Sequence, residues 1–321
     1  MSPASTLATA LPAERAPRRQ SSRAFVRHSP AWLRRAPYLY IAPMLLLIGI
    51  FVYWPLIATI GLSFAKWNLN PDRPIALAGF DNYARLASSP LFRDALRNTG
   101  YFLIGSLPLK ILLPIPVAVA IWSLGRKGEI YRAILFLPTL ISFVVVAIVF
   151  LWLLNPIGGM IPLGLRALGL QGANPLAEPA SALWTVLLIS TWKIFGFNVL
   201  IYVAGLARIR GDLIEAMQLD GAGAGRIFVS LVWPLLTPTT FFVLVSTTIF
   251  SLQQVFTPID IMTEGGPQNG TTNLFYMVYQ LTFRTFDVGR GAAATVLLFA
   301  LLLLITTVKF RVVDRHVYYD Q

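Results

Sequence analysis

Apolar residues along this chain gather into six long runs separated by polar, charged segments. They cover roughly Tyr38–Phe64, Tyr101–Leu124, Ala133–Leu154, Ala182–Leu206, Leu235–Phe256 and Ala292–Phe310. Each is long enough to cross a bilayer as a helix, which takes about 20 residues. The pattern predicts an all-α polytopic membrane protein with about six transmembrane helices. Pro43 and Pro55 lie in the first run, and Pro108, Pro114 and Pro116 in or beside the second. Prolines at that density predict kinked or broken helices whose freed backbone groups are satisfied by neighbours. No internal repeat is evident.

Composition agrees. Of 321 residues, 56% are hydrophobic and 12% charged, against roughly 25% charged in a soluble domain. Mean hydropathy is +0.67. These figures exclude a soluble globule, a disordered chain and a coiled coil. The net charge of +12 would suggest nucleic acid in a soluble protein, but here its distribution is a topology signal. With Lys309 counted in the C-terminal end, segments on the N-terminal side of the membrane hold sixteen Lys/Arg and the opposite loops eight. By the positive-inside rule both termini face the cytoplasm, and no nucleic-acid partner is expected. Residues 1–36 read as a basic, disordered cytoplasmic tail with affinity for anionic membrane lipid, with a targeting peptide as the alternative. Residues 37–312 form the transmembrane domain, and 313–321 a short cytoplasmic tail.

The candidate chemistry is sparse. There is no Cys, and the two histidines, His28 and His316, stand near opposite ends, so no metal site is expected. The six runs contain no Asp or Glu, which argues against a proton relay. No phosphate-binding loop, zinc-protease or serine-hydrolase motif occurs. The chain reads as a non-enzyme that takes energy from a partner. Lys193 sits mid-run near Asn198: either a polar group in a solute path, or an internally paired or snorkelling structural lysine. Lys110, flanked by prolines, reads as structural. Gln253 and Gln254 either line a polar cavity or bond a neighbouring helix. Trp192, Tyr276 and Tyr279 either stack on sugar rings or belong to an interfacial belt.

The cytoplasmic loop 207–234 carries most information. Asp212 reads as an N-cap and Glu215, three residues on, as its capping-box partner. A short helix follows, and Gly221 ends it. A second amphipathic piece spans Arg226–Trp233, with Pro234 and Pro238 at the start of the fifth span. Gly221, Gly223 and Gly225 follow a helix pattern and not a strand, so they do not make a dinucleotide loop. A small-residue turn between short helices suits close approach of another protein.

At these residues the loop resembles the EAA motif of binding-protein-dependent ABC importer permeases. Glu215-Ala216-Met217, Gly221 and Leu231-Val232-Trp233-Pro234 stand at the family spacing, and Asp220-Gly221-Ala222 matches its usual D-G-A. Met217 replaces an Ala, Leu231 and Trp233 replace Ile and Leu, and Arg210 stands where Pro is frequent. Phe80–Tyr83 with Leu91–Thr99, and Met262–Pro267 with Thr271–Leu274, resemble outer loops of the carbohydrate branch, near the maltose- and glycerol-3-phosphate-type permeases. The resemblance implies the type I importer permease fold in a bacterial inner membrane. It implies four kinds of partner: a second, non-identical permease subunit, two copies of a cytoplasmic ATPase subunit, an extracytoplasmic solute-binding protein, and membrane lipid. ATP and Mg would be held by the ATPase. Glu215, Ala216, Met217, Asp220, Gly221 and Ala222 would dock there, with Glu215 paired to a basic residue. The solute would be a sugar, polyol or glycerol phosphate. The competing reading is a self-sufficient channel or facilitator without an ATPase.

Overall fold

The computed structural model describes residues 31–70, 72, 74–169 and 174–313. The expected N-terminal tail up to residue 30, and the C-terminal tail from residue 314, lie outside the described residues. The chain divides into two units at Leu56. In the first, helix Ala31–Ile48 passes through a widened π turn at Gly49–Tyr53 into the start of helix Trp54–Ser63, which runs on past the boundary. The apolar stretch of this run is Tyr38–Ser63.

The second unit is a helical bundle. Four further helical runs are long and apolar enough to cross a membrane: Pro90–Ser123, Pro179–Leu206, Ala224–Met262 and Val288–Arg311. A bent pair, Gly125–Leu140 with Phe143–Leu153, is long and apolar enough to make a sixth when taken as one span. The regular β-structure among the described residues is one antiparallel pair, Ala65–Lys66 with Ala76–Leu77.

Three runs differ from the sequence expectation, each for a backbone reason. The third is not one helix. It turns by 90° at Ile141–Ser142, where Ile141 is extended and Ser142 caps the following helix by accepting from Val145 N at 3.2 Å. The fifth begins eleven residues earlier than expected, at Ala224. Pro234 and Pro238 lie inside it and do not mark its start, and Arg226–Trp233 is not a separate piece. A π turn at Phe228–Val232 precedes Pro234. The Thr237 hydroxyl donates to Pro234 O at 2.6 Å, the carbonyl that Pro238, lacking N–H, leaves free. The second run begins in the outer loop at Pro90 and absorbs its prolines through a π turn at Pro108–Leu112.

The bundle closes tightly where the fourth run meets the third. A Cβ at Gly196 would lie 1.7 Å from Leu135 O, so only glycine permits this approach. At the opposite end from the 207–227 loop, the segment after Met262 is pinned to the second run. Asn98 Nδ2 donates to Asn269 O at 2.8 Å and Thr272 O at 3.0 Å, and Leu274 N donates to Thr99 Oγ1 at 3.0 Å.

Candidate coupling loop and the polar residues of the spans

The loop helix spans Gly211–Leu219. The expected capping box is absent. Asp212 lies within the first turn, accepts from Leu213 N at 3.0 Å and is paired with Arg210. The Arg210 guanidinium holds the Asp212 carboxyl below the usual carboxylate range. The Glu215 carboxylate is exposed and has no hydrogen-bond or ion-pair partner among the described residues. The helix ends as the sequence predicts. Gly221 has φ +75°, Ala222 N donates to Met217 O at 2.9 Å and Gly221 N to Gln218 O at 3.0 Å. That is a Schellman cap, whose left-handed residue costs least as glycine.

One face of this helix anchors it. Ile214 and Met217, with Ala222 of the turn, pack against the buried cluster holding Ile121, Leu206, Ile209 and Ile227. Met217, the departure from the family's Ala, is thus a hydrophobic foot on the bundle. The other face carries Glu215, Ala216 and Asp220, all exposed, and Leu219, 90% exposed. Leu219 was not singled out in the sequence. Its place on the polar side of the helix was the available signal.

Within the spans the structure separates candidates that the sequence left together. Lys193 is buried, and its ammonium donates to Thr139 O at 3.2 Å and lies 4.3 Å from the Phe143 ring centroid. Thr139 Oγ1 returns a bond to Lys193 O at 3.0 Å. The lysine therefore caps the last turn of Gly128–Leu140 at the break, where the helix dipole favours a cation. Asn198 is also buried, and its Nδ2 donates to Lys110 O at 2.7 Å. Pro114, four residues beyond Lys110, has no N–H to offer that carbonyl. The Lys110 ammonium bonds Ser251 Oγ at 3.1 Å. Lys193, Asn198 and Lys110 hold helices together inside the subunit.

Gln253 differs: it is exposed, on the same face as exposed Phe242 and Phe250 and half-buried Ser246. Gln254 is half-buried, with its Oε1 unbonded among the described residues. Tyr276 is fully buried, in a cluster with Phe102 and Leu187, and is neither a belt residue nor a free stacking platform. Its hydroxyl donates to Asp260 at 3.1 Å, and burial together with that carboxylate pushes the phenol up. Arg284 bridges Asp260 at 3.2 Å and Glu264 at 2.9 Å. Trp192 stays 46% exposed.

The family model of binding-protein-dependent transport system inner membrane components matches residues 82–318. The chain belongs to that family. It is the transmembrane permease subunit of an ABC importer in the inner membrane, and ATP hydrolysis belongs to a separate subunit. Among its relatives, the sn-glycerol-3-phosphate transport system permease protein UgpA of Pectobacterium atrosepticum is 33% identical, over 94% of this chain and 99% of that protein. The same-named protein of Agrobacterium fabrum is 31% identical over 88% and 96%. A crystal structure of a bacterial ABC transporter involved in import of the acidic polysaccharide alginate superposes with TM-score 0.77 at 25% identity, covering 88% of this chain and 98% of that one. A second structure, of an alginate ABC transporter in complex with alginate pentasaccharide-bound periplasmic protein, has the same fold, with TM-score 0.78.

Proposed function

We propose that this permease couples solute passage to ATP hydrolysis by seating helix Gly211–Leu219 in a cytoplasmic ATPase subunit. Glu215, Ala216, Asp220 and Gly221 form the docking surface, and Met217 and Ala222 tie it to the bundle. The observation that carries the reading is a helix held on one face by Ile214 and Met217 while Glu215, on the other, is exposed and without an ion-pair partner among the described residues. A lever needs that combination: rigid attachment to what it moves, and an unoccupied face toward what drives it. ATP and Mg are bound by the ATPase. The assembly contains two ATPase copies, a second, non-identical permease and an extracytoplasmic binding protein. Both termini of this chain, and the 207–227 loop, face the cytoplasm, and residues 37–312 form the permease domain.

The solute is of carbohydrate type: a sugar, polyol or glycerol phosphate. The glycerol-phosphate relatives and the alginate importer support this class. The path runs along the exposed face of the fifth span bearing Phe250 and Gln253, with half-buried Ser246 beside them and Gln254 at its edge. An amide turned to hydrocarbon costs several kcal/mol, so this face borders a polar cavity made with the second permease. Aromatic and amide groups on one stripe suit hydroxyl-bearing rings or chains. Lys193 and Asn198 lie off this path and support it from within.

Uptake by Glu215→Ala and Gln253→Leu complexes in proteoliposomes tests both halves. Glu215→Ala lowers the transport rate and solute-stimulated ATP hydrolysis together and leaves the solute concentration for half-maximal rate unchanged. Gln253→Leu raises that concentration. Wild-type behaviour of both variants at equal incorporation would refute the assignments.

A further inference from the structure

An apolar groove of about 520 Å³ opens between the second and fifth spans on the side of the coupling loop. Leu112, Ile115, Val119 and Ala120 form one wall, and Phe228 and Trp233 the other. Its origin is in the backbone. The π turns at Pro108–Leu112 and Phe228–Val232 each insert an extra residue and rotate the following side chains off the helix-packing rows. Ala120 is too small to fill the gap. Ile115 is buried, while Leu112, Ala120 and Trp233 are exposed, so the groove has a floor and an open front.

The end of the groove toward the loop is basic. The second span stops at Ser123 and turns through Arg126 and Lys127, and Arg226 stands two residues before Phe228. With the bent pair taken as one span, two crossings separate these loops and put them on one side of the membrane. Ile121 of the second span and Ile227 beside Arg226 also meet in one buried cluster. Arg126, Lys127 and Arg226 are exposed and form no ion pair with the carboxylates of the described residues. Glu129, also exposed nearby, leaves the rim positive.

We propose that this groove seats an acyl chain of an anionic phospholipid whose headgroup lies on Arg126, Lys127 and Arg226. Apart from the Trp233 indole N–H, the wall offers no side-chain donor or acceptor for a polar solute and suits hydrocarbon. The open front admits a molecule from the bilayer, and the cations at the interfacial end favour a phosphate-bearing headgroup without a compensating positive charge. The site adjoins the root of the coupling helix, since Phe228 follows Ala222 of the same anchored segment. A lipid there changes the packing against which the loop moves.

The intact transporter in liposomes, with phosphatidylglycerol or phosphatidylcholine carrying a photoactivatable group on one acyl chain, tests this. Adducts from the phosphatidylglycerol probe concentrate on 112–120 and 228–233 and exceed those from phosphatidylcholine. Labelling falls by about fivefold for each cation removed in Arg126→Gln, Lys127→Gln and Arg226→Gln. Ala120→Trp, which fills the groove, removes it. The glutamine changes are on exposed side chains and decide the matter if the tryptophan variant does not assemble. Equal labelling by both headgroups, or indifference to all three charge changes, overturns the proposal. So does exclusion of both probes, with a photo-crosslinker at position 233 capturing the second permease, which would make the groove a subunit interface.

Discussion

The two ends of the bundle handle their polar groups in opposite ways. In the segment 262–274, Thr271, Thr272 and Asn273 are fully buried, and Asn98 of another helix satisfies two of the segment's carbonyls. Arg284 is occupied by Asp260 and Glu264. At the other end, the 211–222 helix and turn pack half-buried Ile214 and Met217 on the bundle and leave Glu215, Leu219 and Asp220 outward. A segment whose polar groups bond one another is a scaffold. A segment that orders its backbone with one glycine cap and leaves a carboxylate and a leucine unmatched is shaped for something else to complete.

The sharpest way to break this contrast is to damage each end and ask what is lost. Gly221→Pro cannot adopt φ +75°, because proline holds φ near −65°. The variant inserts and assembles its bundle, and transport in vesicles falls to background. Asn98→Ala orphans the buried Thr272 carbonyl and the half-buried Asn269 carbonyl, about 1–3 kcal/mol for the buried one. The complex melts at lower temperature by calorimetry, while the molecules that remain folded transport at the wild-type rate. If Asn98→Ala uncouples transport without a stability loss, the outer segment is more than scaffold.

Lys193→Met carries a smaller expected effect. It removes a helix cap, worth about 1–2 kcal/mol in a partly buried setting. The thermal midpoint drops, and the solute concentration giving half-maximal uptake stays fixed. A shift in that concentration for a phosphorylated solute relative to a neutral one would restore Lys193 to the path. The smallest effect concerns Asp212. Its acidity is increased in the fold by Arg210, so the pair's contribution is present above the ordinary carboxylate range and lost as pH falls through the depressed value. Arg210→Gln moves the Asp212 titration up toward an ordinary carboxylate, measurable by NMR on a labelled carboxyl, with little change in transport at neutral pH.

Much of this was legible in the residues, for physical reasons that also mark where legibility stopped. Crossing a bilayer demands long apolar runs, so the spans could be read from hydropathy. The helix end at Gly221 was readable because few residues besides glycine accept that conformation. The break in the third span was not, since the run is strongly apolar on both sides of Ser142, and Pro138 and Ser142 were the faint signals. The capping box failed because Arg210, next but one in sequence, takes the Asp212 carboxylate. Asn198 looked like a pathway residue because its partner, the Lys110 carbonyl freed by Pro114, is 88 positions away. Polar residues inside apolar runs repair proline damage as readily as they line a path, and only the packing tells which.

The absence of cysteine from the chain makes the central claim directly measurable. Single cysteines at positions 214, 216, 217 and 219 can be placed in an otherwise thiol-free permease and assembled with the ATPase subunit. A short thiol-to-amine crosslinker then reports which face meets it. Ala216→Cys and Leu219→Cys yield a permease–ATPase adduct, and Ile214→Cys and Met217→Cys, turned into the bundle, do not. Adducts from the bundle-facing pair and none from the exposed pair, or none from any position in a transport-active complex, would contradict the account.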